Sequence, residues 1–320
     1  MFFKILIHME AGEEMEMDEF QVGFGKRMLI FIFICALGGG FLGGFFLGAY
    51  LGPGGGGFTA QISIEGSNTL FELEQTWASY YMQDNPGVSI VVGGAGTSVG
   101  LSQLINGIVD IAAASRLPKS SEYDLAASRG VTLHVTPVCI DGIVIVVHPS
   151  NPITNISFSF LRGIYNGSIT QWGQVNSTLS YLGKITAYSR DPSSGTYSYF
   201  QEHVMMNDDY SSTVQPLAGN SAIISAVAAD PTGIGYVGAA YAQTTSVKVV
   251  PVNDPDSGIP VEPGFENIKS FTYPIARYLY VVTNGVPHGY ISAYIDWCLG
   301  PQGQVIANMT GYMPVYSLPV

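Results

Sequence analysis

"VSIVVGGAGTSVGLSQLINGIVDIAAAS", residues 88–115, reads as strand, Gly/Ser/Thr-rich turn, helix and strand in 28 residues. "VSIVVGG" is a β-branched run, "TSVGLSQLINGI" is helical, and "VDIAAAS" returns to a strand. The same rhythm precedes it, with "AQISIEG" (60–66) as a strand and "NTLFELEQTWASYYMQ" (68–83) as a helix. Strands alternating with helices at this spacing predict a parallel α/β sheet. Further on, "GIVIVVH" (142–148) is a near-continuous apolar strand and "SAIISAVAADPTGIGYVG" (221–238) continues the pattern. "TYPIARYLYVVTNG" (272–285) is a second long β-rich run, and "YISAYIDWCLGPQGQVIANM" (290–309) reads as one closing helix. No internal repeat of solenoid length is visible.

Composition narrows the function. The 320 residues are 47% hydrophobic and only 11% charged, enough to bury a large core and to form more than one lobe. Disorder is excluded on the same numbers. A formal net charge of −12, with six lysines and six arginines scattered along the chain, argues against a nucleic-acid partner. Cys35, Cys139 and Cys298 give neither a disulfide framework nor a zinc spacing, and the five histidines are dispersed, so no metal site and no cofactor are expected. Cys139 and Cys298 are expected as free buried thiols, and Trp77, Trp172 and Trp297 as core aromatics.

Residues 28–51 are 24 consecutive uncharged residues, long enough to cross a bilayer core as a helix. Lys26 and Arg27 precede them, which keeps the N-terminus inside and sends the remainder out. No small-residue cleavage motif follows, so the reading is an uncleaved anchor rather than a signal peptide. Residues 1–27 then form a short acidic cytoplasmic tail and 52–60 a Gly-rich linker. Sequons at Asn155, Asn166, Asn176 and Asn308 all lie beyond the anchor and fit a glycosylated extracellular domain.

Three strand-to-helix junctions share one chemistry: "EGSNTL" (65–70), "GGAGTSVG" (93–100) and "RDPSSGTY" (190–197). Each offers Gly for close backbone approach and Ser or Thr hydroxyls at a helix start, whose first N–H groups lack intrahelical partners. Such ends attract anions through the macrodipole without any net protein charge, so an acidic chain can still bind an acid. Arg190, in a chain with few charges, stands at the third junction.

In these segments, and in "TPVCIDGIVIVVHPSNPITNIS", "LRGIYNGSITQWGQV", "GIGYVGAAYA" and "TYPIARYLYVV", the chain resembles the PstS family, the phosphate-binding proteins of ABC phosphate importers. The likeness runs over nearly all of 61–320. It implies a type II periplasmic-binding-protein fold, with 61–139 plus 275–320 as lobe I, 140–274 as lobe II, and two crossover strands between them. It also implies an extracytoplasmic protein that captures inorganic phosphate in the cleft, hands it to an ABC permease, and is not an enzyme. The phosphate shell it implies is Thr69 and Leu70 at the first junction, Thr97 at the second, and Arg190, Ser194, Gly195 and Thr196 at the third. Arg190 supplies a fixed fork of donors suited to a tetrahedral oxyanion. Asp191 either holds the guanidinium or complements the helix dipole.

The sequence departs from part of the family at "AASR" (113–116), where some members carry an aspartate that accepts the phosphate proton and rejects sulfate. Here Arg116 stands instead. Asp141 either replaces that acceptor or is a hinge aspartate bonded to backbone amides. Ser115 is a further donor, and Arg116 either a donor or a bridge at the rim. Alternative readings are a binding protein for sulfate, molybdate or tungstate, and a surface adhesin or sensor that keeps the fold. A hydrolase lacks its nucleophile elbow, and the P-loop string is absent. The anchor predicts fractionation with membranes that resists salt and carbonate extraction. A soluble mature chain beginning at about residue 58 would overturn it.

Overall fold

A computed structural model describes residues 60–316. The acidic tail, the 28–51 anchor and nearly all of the linker lie outside the described residues. Among those described, no helix is long and apolar enough to cross a membrane. The strands are β1 (Ala60–Gly66), β2 (Val88–Val92), β3 (Ile111–Ala114), β4 (Leu133–Val147), β5 (Thr186–Arg190), β6 (Gln215–Leu217), β7 (Gly233–Gly238), β8 (Lys248–Val250), β9 (Val252–Asn253), β10 (Pro260–Val261) and β11 (Ala276–Asn284). The helices that position the site are α1 (Phe71–Asp84), α2 (Thr97–Ile105), α3 (Ser120–Ser128), α4 (Phe158–Asn166), α5 (Trp172–Val175), α6 (Gly195–His203) and α7 (Asn220–Ala229). After them come α8 (Phe265–Lys269), α9 (Gly289–Leu299) and α10 (Pro301–Met309).

Nine strands form one sheet in the order β2-β1-β3-β11-β4-β7-β5-β6, with β8 also paired to β4. The expected parallel sheet is in fact mixed. β1 runs parallel to β2 and β3, and β5 parallel to β6 and β7, but β11 is antiparallel to β3 and β4, and β4 is antiparallel to β7 and β8. Alternation of strands and helices reveals local βα units; it is blind to the long strands that stitch two such groups together. β4 does this stitching. Its residues 133–142 pair with β11 and its residues 143–147 pair with β7. It begins nine residues before the apolar run "GIVIVVH" that announced it: residues 133–137 are half-buried or exposed, and the buried stretch of the strand starts at Val138.

Apolar cores pack on both sides of that crossover. One gathers Ile62, Leu73, Trp77, Cys139, Leu279, Tyr294 and Cys298; another gathers Ile143, Ile145, Trp172, Phe200, Tyr236 and Ile275. Leu73, Trp77 and Tyr81, four residues apart, aim one face of α1 into the first core. Trp77 and Trp172 are fully buried and donate their indole N–H to the carbonyls of Gly303 (2.7 Å) and Thr232 (3.0 Å). Trp297 is half-buried, packed against the first core and edge-on to Tyr81. Cys139 and Cys298 are free and buried. The single closing helix is two helices, broken where Gly300 is extended and Pro301 opens α10 without a backbone N–H to give. Of the sequon asparagines, Asn176 and Asn308 are exposed, whereas Asn166 is half-buried and donates its amide to Asp208 (2.8 Å).

α1 also buries an acid. Glu74 is 1% exposed, takes the Tyr294 hydroxyl at 3.2 Å on Oε2, and leaves Oε1 without a partner. Burial raises its pKa to about 7, with the Tyr294 bond opposing the shift. A carboxyl whose folded pKa lies above its unfolded value stabilises the fold fully below the unfolded pKa. That contribution is lost as pH rises through the folded value. Glu74→Gln should therefore raise the melting temperature at pH 8 and lose that advantage near pH 4.5. A gain that is the same at both pH values would show that Glu74 does not titrate in this window.

Candidate anion-binding site

The three junctions come together. α1 starts from β1 through Ser67, Asn68 and Thr69; α2 starts at Thr97; α6 starts at Gly195, directly after β5 ends in Arg190. Two glycines permit the approach. Gly96 sits at φ +119, and a Cβ there would come within 2.5 Å of Ser193 Oγ. A Cβ on Gly195 would meet Thr97 Oγ1 at 2.5 Å and Ser115 Cβ at 3.1 Å. Neither position can carry a side chain while the junctions touch.

Thr69, Thr97, Ser115, Ser194 and Thr196 are each at most 6% exposed. Each of their hydroxyls has a hydrogen-bond partner within the junctions. Thr69 Oγ1 lies 3.0 Å from Thr196 Oγ1, and Thr97 Oγ1 accepts the Ser115 N–H at 3.1 Å. Ser115 and Ser67 share a hydrogen bond through their hydroxyls. Ser194 caps its own helix, its Oγ accepting the Thr196 N–H at 3.1 Å. Leu70 behaves differently from its sequence reading. Its N–H is turned to the Ser67 carbonyl (3.1 Å) and hydroxyl (3.3 Å), closing the first turn of α1 on itself.

Arg190 is 1% exposed and belongs to none of the ion pairs among the described residues, which are Arg116–Glu122, Arg162–Asp208 and Arg277–Asp141. Its partners are neutral amides. Nη1 donates to Asn220 Oδ1 (2.8 Å), Nη2 to Asn68 Oδ1 (3.2 Å), and Nε has no partner. Burial pulls its pKa down to about 10, which leaves it charged at neutral pH. A guanidinium buried without a counter-ion costs several kcal/mol, roughly. An anion brought to it would offset that cost, and hydroxyls converging at a helix start suit an oxyanion.

The other charges separate the alternatives that the sequence left open. Asp191 does not hold Arg190. It is exposed, and its Oδ1 caps the turn by accepting the Ser193 N–H at 2.9 Å. Arg116 is neutralised by a two-pronged bond to Glu122 (2.7 and 2.8 Å) and also reaches Ser98 Oγ (3.0 Å), so it offers no free charge to an anion. Asp141 is 1% exposed, with Oδ2 accepting Nε (3.2 Å) and Nη2 (2.9 Å) of Arg277 and Oδ1 accepting the Ala239 N–H (3.1 Å). Burial pushes its carboxyl up, and Arg277 works against that. Asp141 thus sits in the hinge role, bonded to a backbone amide and a crossover arginine, beside Thr69 rather than free to take a proton.

Four residues at the site escaped sequence reasoning: Ser67, Asn68, Asn220 and Arg277. Ser67 and Asn68 stand inside "GSNTL", where only Thr69 and Leu70 were assigned. Arg277 had a signal. It is a lone charge inside the apolar run "IARYLYVV" of a chain with few charges.

The PBP superfamily domain matches residues 53–302. A phosphate-binding protein PstS of Staphylococcus epidermidis is 30% identical over 255 residues, covering 78% of this chain and 77% of its own length. The chain belongs to the PstS family of phosphate-binding proteins. The PstS of Pseudomonas aeruginosa is 29% identical over 273 residues, covering 81% and 84% of the two chains. Among solved structures, a phosphate ABC-transporter substrate-binding protein of Clostridium perfringens with bound phosphate superposes with TM-score 0.70. It is 28% identical, over 80% of this chain and 100% of its own.

If the free charge on Arg190 draws the anion, a carboxylate set beside it should repel one. Asn68 Oδ1 accepts from Arg190 Nη2 and from the N and Nδ2 of Asn220, so Asn68→Asp keeps every acceptor and adds one negative charge. The melting temperature should hold or rise, while phosphate affinity in calorimetric titration falls at least about ten-fold. Unchanged affinity would place the compensating charge elsewhere.

Proposed function

We propose that this chain is an extracytoplasmic substrate-binding protein that takes inorganic phosphate between its lobes and delivers it to the membrane subunits of an ABC importer. The observation that carries the reading is Arg190, a buried cation whose guanidinium is held only by the amides of Asn68 and Asn220, at the end of the strand that leads into the third helix start. The PstS relatives and the phosphate-bound C. perfringens structure supply the ligand and the transport role by kinship. Lobe I would comprise 61–139 with 275–320, and lobe II 140–274, with β4 and β11 as the crossovers. The phosphate shell in this reading is Thr69, Thr97, Ser115, Arg190, Ser194, Gly195 and Thr196. Leu70 serves it only if its N–H leaves Ser67, and Asp141 acts through Arg277. The outward orientation, glycosylation and single-pass attachment rest on residues 26–51 and the sequons, and belong to the same proposal.

A second reading, another tetrahedral oxyanion, is favoured by one observation: Asp141 has its oxygens engaged and does not stand free to accept a phosphate proton. Equilibrium dialysis with labelled phosphate, competed by sulfate and molybdate, separates the two. Phosphate should bind and resist competition; displacement by equimolar molybdate or sulfate would favour the second. Arg190→Ala should keep the fold and lose roughly 30-fold to several thousand-fold in phosphate affinity, the cost of a desolvated bidentate contact. Arg190→Lys should recover part of that loss, since a point charge cannot make two parallel N–H bonds. Near wild-type binding in Arg190→Ala would overturn the assignment.

A further inference from the structure

Arg277 and Asp141 are register partners on β11 and β4, the two strands that pass between the cores. Directly opposite side chains on antiparallel strands share a face. Both are 1% exposed in their ion pair. Arg277 also reaches beyond Asp141. Nη1 donates to the Ser115 carbonyl (2.9 Å), Nη2 donates to Thr196 Oγ1 (2.9 Å), and the guanidinium lies 5.4 Å from the centre of the Tyr199 ring. One side chain on a crossover strand therefore touches the third anion-binding junction at Thr196 and also Ser115, whose N–H bonds to Thr97 of the second.

A hydroxyl has one proton to give and lone pairs to receive. Arg277 can only donate, so Thr196 Oγ1 must accept it, which leaves the Thr196 proton to be given elsewhere, to Thr69 Oγ1 or to a bound anion. The Ser115 carbonyl is held by Nη1, and the Ser115 N–H, in the preceding peptide unit, occupies a lone pair of Thr97 Oγ1 (3.1 Å). With one lone pair so occupied, the Thr97 hydroxyl keeps its proton to give. Stability alone does not explain such a pair, because well-packed apolar residues generally replace a buried ion pair without loss.

We propose that Arg277 is a positioning residue for anion capture: neutralised by Asp141, it adds orientation rather than net charge, and sets the Thr196 hydroxyl as a donor. This rests on the phosphate reading above. Arg190 supplies the uncompensated charge and Arg277 arranges the dipoles around it.

A double-mutant cycle on phosphate affinity, measured by calorimetry on the full-length chain, tests the assignment. The pair is removed as Asp141→Asn with Arg277→Met, which leaves no lone buried charge, and Thr196→Val is made in both backgrounds. Wild type should bind phosphate, and Thr196→Val alone should weaken it about ten-fold or more, the loss of a hydrogen bond to a charged group. The paired variant should keep its circular dichroism and bind at least about ten-fold more weakly. In that background Thr196→Val should cost less than about three-fold, because an unoriented hydroxyl has little left to lose. Full additivity would mean that Arg277 only supports the fold, and would overturn the proposal while leaving phosphate capture intact. Failure of wild type to bind phosphate would overturn both. Should the paired variant not fold, Arg277→Lys carries the test, since it keeps the charge beside Asp141. Affinity lowered, with a smaller Thr196→Val effect, supports positioning, and an undiminished Thr196→Val effect refutes it.

Discussion

The buried charge of Arg190, held by amides and by no carboxylate, constrains what surrounds it. Asn68 and Asn220 satisfy its Nη groups without cancelling its charge. Gly96 and Gly195 let the junctions close on it. The hydroxyls of Thr69, Thr97, Ser115 and Thr196 are buried, a costly arrangement for polar groups that is tolerable because Thr69 bonds to Thr196, Ser115 to Ser67, and Thr97 to the Ser115 N–H. Each feature makes sense as part of a compartment built to present donors.

Charge is rationed by pairing. Arg116 is silenced by Glu122 and Arg277 by Asp141, so two of the three arginines around the junctions contribute geometry, and Arg190 alone contributes attraction. This explains how a chain of net charge −12 can hold an acid. The long-range field of the protein is unfavourable, yet at contact distance a desolvated guanidinium and helix starts outweigh screened surface carboxylates.

The crossover strands link this chemistry to the fold. β4 and β11 are the most extensively paired strands of the sheet and carry Asp141 and Arg277 opposite each other. Arg277 reaches Ser115 after β3 and Thr196 in α6, so the ion pair ties the two groups of βα units at the point where they meet. A register slip of one residue would send both side chains to the other face and dissolve the site.

Much of this was written locally. The βα units, the three Gly/Ser/Thr junctions, the buried Trp77 and Trp172 and the free thiols were legible, because turn chemistry and side-chain periodicity act over a few residues. The sequence also carried the membership in the PstS family through seven ordered segments. The partners of the charges were not legible. Asp191 lies next to Arg190 in the chain yet caps its own turn, while Asn68 and Asn220, 122 and 30 residues away, hold the guanidinium. Arg116 found Glu122, and Asp141 found Arg277 across 136 residues. Sheet direction was decided in the same way: β4 and β11 became antiparallel partners through long-range pairing. Local steric preference fixes what a segment is; which buried donor meets which acceptor depends on the strand register and helix packing of the whole chain, and only the tertiary structure supplies those.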